Sequence, residues 1–132
     1  MTVNAFHEEA VLWSSKLKFT LFELNFAKNL ISSYAFEPKT ANSFLLLQEF
    51  KSQTEKLYDE NLRLQKQIKK HENELGGFFE CSETHFDRQS NIEHSQLKSI
   101  IEKHILNFTS LKTEIFDSVS YTHLTLPTIC SV

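Results

Sequence analysis

The chain is short of residues that turn a backbone. It has 2 glycines and 2 prolines in 132 residues, so few tight turns are available and long helices are favoured. It has no strong charge of one sign: the net charge is −3 at pH 7. No basic stripe is present, and the longest basic cluster is Lys66, Lys69 and Lys70 on one helix face. Nothing in this pattern fits a nucleic-acid surface. No apolar run reaches the roughly 18 residues that span a bilayer. The first residues, MTVNAFHEEA, lack the basic and apolar regions of a signal peptide. A cytoplasmic location without nucleic acid or membrane partners is the expectation.

What the chain does have is phenylalanine, 12 in all, and a sustained heptad-like rhythm. Phe6, Ala10, Trp13, Leu17, Thr20, Leu24, Ala27, Ile31 and Tyr34 recur at a 3-4 spacing, which places them on one side of a helix over about 5–36. Leu12, Phe19, Leu21, Phe22, Phe26 and Leu30 widen that side. A helix so apolar around its circumference should touch more than one neighbour. Pro38 interrupts it, with Glu37 or Thr40 placed to cap the next helix.

The second helix, over about 39–76, carries Leu47, Phe50, Thr54, Leu57, Asn61, Leu64, Ile68, His71, Leu75 and Phe78 on one stripe. Its other face is densely charged. Gly76-Gly77 is expected to stop it, and Phe78 to Asp87 to form a loop. The third helix, over about 88–118, carries His94, Leu97, Ile101, His104, Phe108, Leu111 and Ile115. Three such stripes predict an all-α fold: an up-down-up antiparallel three-helix bundle with shallow, coiled-coil-like packing.

The last fourteen residues, VSYTHLTLPTICSV from Val119 to Val132, have a different character. They resemble the translation of a transposase-type sequencing adapter. In that frame the mosaic end reads V-S-Y-T-H-L and the adapter arm T-L-P-T. Ile129, Cys130 and Ser131 fall at a variable barcode. The resemblance implies that residues 1–118 are the helical domain and 119–132 are adapter read-through. The third helix is then truncated, and the fragment belongs to a longer protein. With Cys130 set aside, Cys81 is the one cysteine left, which fits a reducing compartment.

Besides the threonines, four polar residues on the apolar stripes stand out. Asn61 is placed either to fix helix register or to rotate out to solvent. His71, His94 and His104 also occupy seam positions. Folding the hairpin about residues 77–86 brings His71 level with His94, with Glu74 and Glu93 nearby. Imidazoles and carboxylates inside a bundle suit zinc or iron, so His71, Glu74, Glu93 and His94 form a candidate metal set. The pattern lacks the Glu-x-x-His pair of the bundle di-iron proteins. Seam histidines more often lay a ring over the core while one nitrogen reaches water. Cys81 with His85 invites a nucleophile reading, but Glu80 and Glu83 beside it disfavour a thiolate. No catalytic residue and no cofactor is therefore assigned. The leading expectation is a non-enzymatic helical bundle that acts by self-association or by binding a helical partner.

Overall fold

The computed structural model describes the backbone of residues 3–33, 41–80 and 88–130, and the side chains of 5–33, 41–74 and 91–118. Three helices are present: α1 (Val3–Ile31), α2 (Ala41–Glu80) and α3 (Arg88–Cys130). Among the described residues no strand occurs.

The predicted stripes are the buried ones. On α1, Phe6, Ala10, Trp13, Leu17, Leu24, Ala27 and Ile31 are buried, with Thr20 among them. On α2 and α3 the buried positions include Phe50, Leu64, Ile68, Ile101, Phe108, Leu111 and Ile115. They form two clusters. One packs Phe6, Ala10, Trp13 and Leu17 against Leu64, Ile68 and Ile101. The other packs Ala27 and Ile31 against Leu47, Phe50, Leu111 and Ile115. As α1 advances from Phe6 to Ile31, its partners on α2 fall from Ile68 to Leu47, while those on α3 rise from Ile101 to Ile115. The helices therefore run up, down and up, as the stripes require.

Two buried threonines sit inside these stripes at little cost. Thr20 donates its hydroxyl to the Lys16 carbonyl at 2.9 Å, and Thr54 donates to the Phe50 carbonyl at 2.7 Å. Each satisfies itself one turn back on its own helix.

The helix ends differ from expectation. Helix α1 stops at Ile31, short of residue 36. There the Ser32 and Ser33 amides donate back to the Lys28 and Leu30 carbonyls, and the Ser33 hydroxyl donates to the Leu30 carbonyl at 2.6 Å. Serine offers the terminal carbonyls a local partner and so closes the last turn. Helix α2 does not stop at Gly76-Gly77 but continues to Glu80. Glycine tolerates a left-handed cap without compelling one, and inside a helix it costs only about 1 kcal/mol relative to alanine. Helix α3 continues past Ser118 to Cys130. Tyr34, Cys81, His85 and the capping residues around Pro38 lie outside the described residues, as do the side chains of Leu75, Phe78 and the tail.

The broad apolar side of α1 is only partly covered. Leu21 and Leu30 are half-buried, but Phe19, Phe22 and Phe26 are 63%, 70% and 55% exposed. The residues at 12, 15, 19, 22, 26 and 29 keep a 3-4 spacing of their own. They form a second seam on the outward side of the helix, with Ser15 and Phe19 at the edge towards α3.

Candidate functional site

Two buried polar layers cross the bundle. The first begins with Asn61, whose side chain is closed to solvent at 0% exposure. Its amide nitrogen donates to the Leu17 carbonyl of α1 at 3.1 Å and lies 3.1 Å from His104 Nε2 of α3. Its Oδ1 accepts from Gln65 Nε2 at 2.7 Å. On the far side of the ring, His104 Nδ1 lies 2.6 Å from Glu60 Oε1. A carboxylate can only accept, so Nδ1 carries the proton and Nε2 presents its lone pair to the Asn61 amide. Both amide hydrogens and the amide oxygen of Asn61 are thereby used. One side chain on α2 ties down α1 and α3 together. Of the two expectations for Asn61, the structure realises the register-fixing one.

The second layer joins His71, His94 and Glu9. His71 Nε2 lies 2.7 Å from His94 Nδ1, and His94 Nε2 lies 3.0 Å from Glu9 Oε1. Lys98 Nζ holds the other carboxylate oxygen at 3.3 Å. The His94 ring stacks on Phe6 at 4.1 Å between centroids, and Trp13 lies across it at 4.6 Å. With neutral rings the proton order follows from the carboxylate. Glu9 accepts from His94 Nε2–H, so His94 Nδ1 accepts from His71 Nε2–H.

Burial and the adjacent His94 push the His71 pKa down, while Glu74, Glu93 and Glu72 pull it up less strongly. At Glu9, burial raises the pKa, but the hydrogen bonds and charges of His94 and Lys98 outweigh it, and the carboxyl is held below its ordinary value. Both shifts act on stability in one direction. The unfolded chain binds the His71 proton more readily, so this contribution is full above about pH 6.5 and is lost as pH falls towards the folded value. The Glu9 contribution is full above about pH 4.5 and is lost as pH falls through its folded value. Urea midpoints taken from pH 7.5 down to 3 are expected to fall monotonically. His71→Gln should flatten the upper part of that fall and leave the lower part. A midpoint independent of pH between 7.5 and 5.5 would contradict this assignment.

The structure thus brings His71 and His94 together, as the hairpin register predicts. Glu74 and Glu93 lie near enough to act on His71 by their charge, but both are exposed. The two ring nitrogens face each other at hydrogen-bond distance, which leaves no room for an ion between them. Among the described residues no group of three or more His, Cys, Asp or Glu side chains is placed to hold a metal. The carboxylates that matter, Glu9 and Glu60, were not singled out from the sequence. Each directly precedes a seam residue, Ala10 and Asn61, and lies level with a seam histidine. That adjacency is the signal that finds them.

A third feature lies on the surface. A groove of about 700 Å³ runs between α1 and α3, lined by Phe19, Thr20, Ile105, Leu106 and Phe108, with Lys16, Glu23 and Glu102 on its rim. Leu106 is 65% exposed. Farther along, Phe26 meets Phe116 edge-on at 6.3 Å.

These features define a three-helix bundle held in register by buried polar layers, with an open apolar groove on one side. The chain matches no model of a known protein family, no curated protein and no solved structure. Among the described residues no helix is long and apolar enough to cross a membrane.

Proposed function

We propose that the protein is a non-enzymatic helical module that works by association through the α1–α3 face. The observation that carries this reading is the second seam of α1. Leu12, Phe19, Phe22 and Phe26 are exposed at helical spacing, and Leu106 and Phe116 continue the apolar surface across the groove. Scattered exposed apolar residues are ordinary, but a contiguous patch of this kind marks an interaction surface. The buried polar side chains of the interior support the same reading. Asn61, His71, His94 and His104 hold helices to one another instead of facing an open cleft.

Light scattering on the full chain at micromolar concentration, together with an apolar fluorescent dye, tests the proposal. The wild type is expected either to exceed the 15.4 kDa of one chain or to light the dye. Phe19→Ser/Phe22→Ser should abolish both while leaving the melting temperature nearly unchanged, because these rings are exposed. A 15.4 kDa monomer that leaves the dye dark would overturn it.

A further inference from the structure

We infer that the occupant of the α1–α3 face is a second copy of this chain, stacked antiparallel about a two-fold axis at the level of Phe19 and Phe22. The inference rests on the association reading above and names its partner. It draws on three observations: the spacing of the seam, the arrangement of the rim charges and the size of the patch.

The seam at positions 12, 15, 19, 22, 26 and 29 has the alternating three- and four-residue steps of a coiled-coil stripe. When two such stripes run antiparallel, Phe19 of one copy lies against Phe22 of the other, twice by symmetry. Phe26 then falls opposite the small Ser15, so a large ring meets a residue that leaves room for it. Opposed helices also set their macrodipoles against one another.

The charges obey the same two-fold. Lys16 and Glu23 flank the phenylalanines on α1, one on each side of the axis. Antiparallel stacking brings Lys16 of each copy to Glu23 of the other. On α3, Glu102 lies at the Lys16 end of the groove, and Lys112 lies at the other end, bonded to Glu23 at 2.9 Å. The α1 rim therefore carries one charge of each sign on either side of the axis, and each meets its opposite on the second copy. A self-complementary patch of this kind is what a closed two-fold interface requires.

The area points the same way. The exposed fractions of Leu12, Phe19, Phe22, Phe26, Leu106 and Phe116 amount to roughly 600 Å² of apolar surface, taking about 200 Å² for a whole aromatic side chain. That approaches the ~800 Å² per partner of a standard stable interface before any rim residue is counted.

The experiment is sedimentation velocity on the full chain and on two charge-reversal variants, Lys16→Glu and Glu23→Lys. Circular dichroism confirms that each is folded. The wild type is expected to dimerise at micromolar concentration. Each variant alone should dimerise about tenfold more weakly, because two symmetry-related pairs turn repulsive. A 1:1 mixture of the two variants should recover wild-type affinity to within about threefold, because each copy then supplies the charge that the other needs. Phe22→Ser should abolish the dimer with little change in melting temperature. A mixture no tighter than its parents overturns the antiparallel register. A wild type that stays monomeric up to about 100 µM yet lights the apolar dye overturns the second copy as occupant and leaves the association surface standing. A monomer that leaves the dye dark overturns both.

Discussion

Leu24→Ala is expected to lower the unfolding free energy by about 2–5 kcal/mol. Leu24 is fully buried on the central stripe of α1, in the stretch between the two apolar clusters. Its removal takes away the burial of several methyl and methylene groups and leaves a cavity that neighbouring helices can only partly close. Domains of this size are stable by about 5–15 kcal/mol, so the loss is a large fraction of the total. Leu12→Ala on the same helix provides the control, because Leu12 is exposed. Paired urea titrations should show a large drop in midpoint for the first and a change within about 0.5 kcal/mol for the second. Equal effects would mean that the buried face of α1 is wrongly assigned.

Asn61→Leu is the second large effect, and it has a signature that a plain packing defect lacks. The substitution removes the donor from His104 Nε2 and from the Leu17 carbonyl, both inside the bundle. Leaving a buried polar atom unsatisfied costs about 1–3 kcal/mol. His104→Leu removes the other partner and leaves an Asn61 hydrogen without an acceptor. The double variant Asn61→Leu/His104→Leu removes both ends at once. Its loss should be well below the sum of the single losses, because the Asn61–His104 contact is then lost once and not twice. A double-mutant cycle therefore should give a coupling of about 0.5–3 kcal/mol. Additive losses would show that the two side chains do not act as one unit. The double variant is also expected to lose uniqueness. Without a polar contact shared by three helices, neighbouring registers differ only in apolar packing, and extra amide resonances should appear.

The two polar layers divide the labour of the interior. Apolar stripes supply most of the stability but tolerate a helix sliding by one turn, since leucine and isoleucine recur. The Asn61 and His71–His94 contacts do not tolerate it, because each needs a particular atom at a particular level. Acid weakens the His71–His94–Glu9 layer, for which both resolved shifts point the same way.

The three helices, their buried stripes and their up-down-up order were legible in the residues alone. A 3-4 spacing maps directly onto one face of a helix, and three faces that must leave water admit few arrangements. The level of His71 with His94 was legible too, because a hairpin fixes register once its turn is located. The helix ends were not. Gly76-Gly77 permits a stop without enforcing one, and helix α2 runs on to Glu80. The carboxylate beside His94 comes from α1, 85 residues away in the chain, and only the packing of three helices brings it there. Tertiary structure alone also decided which apolar residues of α1 are buried. Periodicity marks Phe19, Phe22 and Phe26 as part of one broad face, but two neighbouring helices subtend only part of its circumference. The fold covers the stripe through Leu17 and Leu24 and leaves those three rings on the surface.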